Sequence, residues 1–330
     1  MKTVITYLVI LLLTAGCSVA PVPVKIIFDT DFGGDADDLG ALVMLHNLMD
    51  HGECDLLAVM CWSTEQYAIP AIDAVNRWYN HPGIPLGVRK EGSHAADWNY
   101  NRAIASALPH EISQSDATDA TELYRKILSG SEDQSIVLLT VGPLKNIQNL
   151  IESPPDQYSE LSGKALLEKK IKEVVIMGGR FPEGDNEWNF DGGMPGVTRY
   201  VLDNLNTPVT FSGFEVGVQI KTGVVFNDTD PGSPLHIGFL HFSEHAPWIN
   251  THFKGEILDN SSFDQTGVLY AVRNGVGEYW DRIEDGQCLA GENGSNEWVE
   301  GAVSDHSYLK LTMDPEEMAS LLESLMLNEF

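Results

Sequence analysis

Val24-Lys25-Ile26-Ile27-Phe28, followed at once by Asp29-Thr30-Asp31-Phe32-Gly33-Gly34-Asp35-Ala36-Asp37-Asp38, decides the architecture. The first five residues form a short apolar run of the kind that a strand buried on both faces requires. The next ten contain five aspartates. Held together in a folded loop, these carboxylates repel one another unless they share a cation or some keep their protons. Gly33 and Gly34 let the backbone turn tightly and approach a ligand. Helical spacing begins directly afterwards, across residues 39–49, with Leu42, Leu45 and Met49 on one face. In open α/β sheets, ligands bind beyond the carboxyl ends of the strands. The acidic loop occupies such an end, and its hard aspartate oxygens favour calcium or magnesium over zinc.

The same strand-then-helix pattern recurs along the chain. Residues 56–61 read as a strand and 69–79 as a helix. Residues 135–140 read as a strand closed by Gly142-Pro143, with a helix from Leu144. Residues 171–177 read as a strand ending at Gly178-Gly179, and 209–211 as a short one. Alternation of this kind predicts an α/β fold, a mostly parallel central sheet flanked by helices. Asp314-Pro315-Glu316-Glu317 reads as a helix start, with Asp314 capping, Pro315 in the first turn and Glu317 completing a capping box. Residues 226–234, rich in Asn, Asp, Gly and Pro, read as a loop and do not divide the chain. One domain is expected over residues 24–330.

Lys plus Arg number 20 against 48 Asp plus Glu, a net charge of −28. Such a surface repels polyanions, so no nucleic-acid partner is expected. Residues 1–16 read as a signal peptide: Lys2, an apolar run over 4–13 too short to span a bilayer, then Thr14-Ala15-Gly16-Cys17. Small residues before Cys17 resemble a bacterial lipoprotein signal, although Thr14 stands where Leu, Val or Ile is usual. Residues 17–23 then form a lipidated tether that holds a soluble domain to a membrane face. The expected location is the cell envelope, on the periplasmic side or at the outer membrane, with secretion as the alternative. Cys54, Cys61 and Cys288, odd in number and without CxxC spacing, read as buried free thiols.

Three other readings of the acidic loop compete. An EF-hand counted from Asp29 places Gly40 where a bidentate Glu is needed. An aspartate-nucleophile phosphatase has Thr or Val two places after its second aspartate, where Gly33 stands. A solvated turn does not suit a position directly after a buried strand.

The stretch from Phe28 through Asp38 to Leu42 resembles the signature of the inosine-uridine nucleoside hydrolases. Further segments follow in family order. Thr140-Val141-Gly142-Pro143-Leu144-Lys145-Asn146-Ile147 resembles that family's Gly-Pro-Leu-Thr-Asn-Ile turn, and Val174 to Gly179 resembles its Met-Gly-Gly strand end. Glu187-Trp188-Asn189 resembles its Glu-Phe-Asn segment, and Ser262-Phe263-Asp264 its late His-Asp-Pro segment. The resemblance covers roughly residues 24 to 275. It implies a Rossmann-related fold and calcium-dependent hydrolysis of the N-glycosidic bond of ribonucleosides. It implies Asp31 as calcium ligand and general base, with Asp38, Asp264 and the main-chain oxygen of Val141 as further ligands. It places Asp37, Glu187 and Asn189 on the sugar, leaves Asp29 and Asp35 in support, and suggests a homodimer or homotetramer.

Two departures concern the substrate. Phe263 stands where well-studied members carry a histidine that helps the base leave, and phenylalanine donates no proton. His94, Asp97 and Tyr100 lie in a stretch that can reach the site. At Cys61-Trp62-Ser63-Thr64, members with the simplest pattern place a ribose-binding Asn; here Ser63 or Thr64 substitutes, or the contact is missing. Two alternatives therefore stand beside the hydrolase: an exported nucleoside- or ribosyl-binding lipoprotein with little catalysis, and a ribosyl hydrolase with a non-standard leaving group.

Overall fold

The computed structural model describes residues 22–92, 96 and 98–330. The expected signal peptide, and Cys17 with most of its tether, lie outside the described residues. The strands along the chain are β1 (Val24–Thr30), β2 (Cys54–Cys61), β3 (Leu86–Val88), β4 (Thr118–Asp119), β5 (Ile136–Thr140), β6 (Ile171–Met177) and β7 (Glu183–Gly184). They continue with β8 (Val209–Ser212), β9 (Lys221–Thr222), β10 (Asn260–Ser261), β11 (Trp280–Ile283), β12 (Gly286–Ala290), β13 (Asn296–Glu300) and β14 (His306–Leu311).

Nine of these build the central sheet in the order β11-β14-β8-β6-β5-β1-β2-β3-β4. Every pairing in it is parallel except β11 with β14 at one edge. The chain lays β2, β3 and β4 to one side of β1, then returns to place β5, β6 and β8 on the other. The order therefore reverses between β1 and β5, and the carboxyl ends around that crevice are where such sheets hold ligands.

β1 is apolar on both faces because both are covered. Ile26 and Phe28 belong to one core cluster and Ile27 to the other, as the two-residue period of a strand requires. The helix Asp37–Asp50 is buried on almost all sides and packs against the helices Asp264–Arg273 and Pro315–Leu327. It begins two residues before the apolar periodicity does, which brings Asp37 and Asp38 into its first turn. Carboxylates are favoured there by the orphan N–H groups and the helix dipole.

Asp314 caps the last helix by accepting from the N–H groups of Glu316 and Glu317. The stretch read as a loop at 226–234 is shorter than expected. A 3₁₀ turn occupies Val224–Asp228, and Pro234 opens the helix Pro234–His245, capped by Ser233. A small antiparallel sheet, β12-β13-β7, lies outside the main one and was not anticipated. Cys54 and Cys61 in β2 and Cys288 in β12 are free and buried. Among the described residues no helix is long and apolar enough to cross a membrane.

Candidate active site

The acidic loop leaves β1 with its carboxylates turned in different directions. Asp29 points down between helices, accepting from the Tyr124 hydroxyl at 2.7 Å and Asn146 Nδ2 at 3.1 Å. Asp35 accepts from the Ala36 N–H at 2.6 Å and from Asn260 Nδ2. Both are thus held by hydrogen bonds, and Asp35 also lines the cavity above the loop. Asp37, Asp38 and Asp264 converge: one oxygen from each lies within 4.8 Å of the others, all three buried. Thr30 Oγ1 donates to Asp38 Oδ1, and the backbone N–H of Asp264 reaches Asp37 Oδ2 at 3.4 Å. Two helix N-termini thus meet on one carboxylate group, since Asp264 opens the helix Asp264–Arg273. Phe263, not Asp264, holds the cap position of that helix, and no side chain caps it.

Asp31 lines the same cavity but stands outside that group of three. Its Oδ2 accepts from the indole Nε1–H of Trp188 at 2.9 Å, which turns the carboxylate toward the 187–191 segment. The close group therefore contains Asp37, expected on the sugar, together with Asp38 and Asp264, expected on the metal. Asp31 and β5 meet through a glycine. A Cβ at Gly142 would stand 2.8 Å from the Asp31 backbone nitrogen and 3.0 Å from its Cβ. Gly142→Ala is expected to push Asp31 out of place and lower kcat/KM by about 10–100-fold, with about 1–3 kcal/mol lost from stability. Steady-state kinetics and urea unfolding check this.

Glu187 and Asn189 sit where β6 ends. Glu187 caps the short helix Trp188–Asp191, accepting from the N–H groups of Asn189 and Phe190, each at 3.1 Å, and from Gly179 at 2.8 Å. Asn189 Nδ2 donates to the main-chain oxygen of Val141 at 2.9 Å and to that of Met177 at 3.1 Å. Its Oδ1 is buried without a partner, while the residue lines the cavity. An orphaned acceptor there fits a hydroxyl donor from a ligand.

Burial dominates the electrostatics. It pushes Asp31 up to about 6, and Asp29, Asp35 and Glu187 up to about 7. Asp37, Asp38 and Asp264 are pushed well above the usual carboxylate range, first by burial and then by the charges of neighbouring aspartates, Asp31 and Asp35 included. A divalent cation removes that repulsion. Three buried carboxylate oxygens close together, with Val141 also lining the cavity, fit a hard cation.

The cavity above this floor has a volume of 620 Å³. Trp98, Trp188, Phe214, Trp248 and Phe263 line it together with Arg180. Phe263 stacks on Phe214 with centroids 5.1 Å apart, and the Arg180 guanidinium lies 4.4 Å from the centre of the Phe214 ring. Trp98 and Trp248 meet edge to face at 5.5 Å, with Trp98 Nε1 donating to the Gly34 carbonyl at 2.8 Å.

A family model for the inosine-uridine preferring nucleoside hydrolases matches residues 26–248. The chain belongs to that family. Solved structures agree on the fold. A plant nucleoside hydrolase superposes with a TM-score of 0.70 at 16% identity, over 92% of this chain and 99% of the other. An inosine-guanosine nucleoside hydrolase gives 0.63 at 17%, over 92% and 98%. The inosine-uridine preferring nucleoside hydrolase of Bacillus anthracis gives 0.64 at 15%, over 92% and 99%. No curated protein sequence matches the chain.

As a nucleoside hydrolase the chain departs from the simplest family pattern where the sequence showed it. Phe263 does face the cavity. His94 and Asp97 lie outside the described residues. Tyr100 is buried against Phe32, its hydroxyl has no partner, and it does not line the cavity. Neither Ser63 nor Thr64 is among the residues that line this cavity. The Ser63 hydroxyl accepts from the Glu65 N–H at 3.4 Å, and Thr64 lines a separate cleft with Arg89 and Lys90. Of the wall residues, Trp98, Phe214, Trp248 and Arg180 were not picked out from sequence. The one available signal was Arg180 directly after the Gly178-Gly179 strand end.

Proposed function

We propose that this nucleoside hydrolase cleaves the N-glycosidic bond of ribonucleosides with calcium at the acidic floor, releasing ribose and base. The buried convergence of Asp37, Asp38 and Asp264 under an aromatic-walled cavity carries the reading. Asp38, Asp264 and the Val141 carbonyl would hold the ion, with Asp37 and Asp31 at its border with the sugar. When bound there, calcium supplies the charge that orders sugar hydroxyls and acidifies a water. Asp31 takes the proton from the attacking water. Asn189 Oδ1 accepts a sugar hydroxyl. The ring of buried carboxylates stabilises the positive charge that develops on the sugar as the C–N bond breaks. The aromatic walls stack on the leaving base and exclude water.

Phe263 favours a second reading within the same chemistry: a ribosyl compound whose leaving group departs without taking a proton from the protein. The N-terminal pattern supports an exported protein, with residues 1–16 as signal and Cys17 as lipid anchor in the cell envelope. The test of the activity compares inosine with 2′-deoxyinosine at saturating calcium. A floor built to pair both ribose hydroxyls predicts at least a hundredfold or so lower kcat/KM for the deoxy compound. Equal rates would contradict it.

A further inference from the structure

Two tryptophans of this chain meet in space: Trp188, at the start of the helix Trp188–Asp191, and Trp62, directly after β2. The edge of one indole meets the other, with centroids 6.3 Å apart and planes at 85°. Arg89 lies with its guanidinium 4.3 Å from the centre of the Trp62 ring and donates from Nε to the Trp62 carbonyl at 2.8 Å. Trp188 is held at its backbone as well. Glu187 before it is fixed by three N–H groups, and Gly192, in the left-handed conformation, donates to the Trp188 carbonyl at 2.6 Å. Arg89, Trp62 and Trp188 form one line of contacts that ends at Asp31 Oδ2, 2.9 Å from the indole nitrogen.

We propose that Trp188 is a positioning residue for Asp31: its indole N–H, braced by Trp62, fixes Oδ2 and leaves Oδ1 to take the proton from water. This rests on Asp31 acting as the base, as above. A phenylalanine ring fills similar space but has no donor, whereas an indole offers one N–H and no acceptor. Groups that orient a reacting carboxylate act through placement, and a displacement of about 1 Å costs on the order of a hundredfold in rate. The residue directly after β2 thus serves as a brace for the side chain that holds the base.

The experiment has two arms. In calcium-loaded protein labelled with ¹⁵N at its seven tryptophans, Trp188→Phe assigns the Trp188 indole signal by its loss. Trp188 is 46% exposed and Trp248 50%, and among the described residues the Trp248 indole N–H has no hydrogen bond. The Trp188 signal is expected to exchange with solvent at least about tenfold more slowly than that of Trp248, and to move when Asp31→Asn is introduced. In kinetics, Trp188→Phe is expected to lower kcat about tenfold, with KM and calcium affinity within about twofold of the parent. Exchange as fast as Trp248, an unchanged kcat, or a loss carried by KM instead would each overturn the proposal. If the parent cleaves no ribonucleoside, the activity reading fails on its own, and the exchange arm still decides the bond. Trp188 is half exposed, so Trp188→Phe leaves no buried cavity that would unfold the protein.

Discussion

Asp31→Asn is expected to lower kcat by about 10²–10⁴-fold while the protein stays folded and KM changes little. The geometry explains the separation. Asn at position 31 can keep its amide oxygen on the Trp188 N–H, so the 187–191 segment is not disturbed. The other arm of the side chain becomes an NH₂ group, which donates and cannot accept a proton from water. Fold is protected for a second reason. Burial pushes the Asp31 carboxyl up to about 6, so at neutral pH the wild-type group is held ionised against its surroundings and a neutral amide relieves that cost. Thermal unfolding beside steady-state kinetics checks the prediction. Activity within tenfold of the parent would remove Asp31 as the base.

Removing the cation is expected to destabilise the protein, and more so at high pH. In the metal-free fold, burial raises Asp31 to about 6 and Asp29, Asp35 and Glu187 to about 7, and Asp37, Asp38 and Asp264 lie higher than their usual range. In the unfolded chain the same groups titrate near 4. Between those values the folded state binds more protons than the unfolded one. Stability is therefore full below about pH 4 and is lost as pH rises through 6 and 7. For one carboxyl moved from 3.8 to about 7, the loss is about 4 kcal/mol. Calcium acts in the opposite direction, because it favours the ionised carboxylates; at a thousand times its Kd it stabilises by about 4 kcal/mol. With chelator present, Tm is expected to fall by roughly 10 °C between pH 5 and pH 8. Calcium should restore most of that at pH 8 and little at pH 5. A chelated protein with the same Tm at both pH values would contradict the electrostatic account.

The parts legible in the sequence are those set by local rules. β1 is an unbroken apolar run because both its faces are buried, and five aspartates behind it advertise a site at a strand end. Other parts depend on tertiary approach. Asp264 lies 227 residues from Asp37 yet donates its backbone N–H to it; by itself it reads as a helix cap, and only the resemblance marked it. Asp37 rather than Asp31 joins the close group, and Asp31 is bonded instead to the Trp188 N–H, a contact no spacing rule contains. The aromatic wall comes from separate parts of the chain, Trp98 and Trp248 in turns and Phe214 at the start of the short helix Phe214–Gly217, so no periodicity gathers them. The β12-β13 hairpin was legible in principle, since Asn296 and Trp298 alternate inward with Glu297 between them. Its partner β7 is two residues long and carries no pattern.

The acidic floor is proposed to be a cation-dependent site for breaking a ribosyl C–N bond. The most direct measurement is release of free ribose from a panel of purine and pyrimidine ribonucleosides and nicotinamide riboside, with calcium and again with excess chelator. Ribose is expected from at least one compound with calcium, with loss of that signal on adding chelator and its return when calcium is added back. Ribose release that is unaffected by the chelator, or none from any compound with calcium bound, would contradict it.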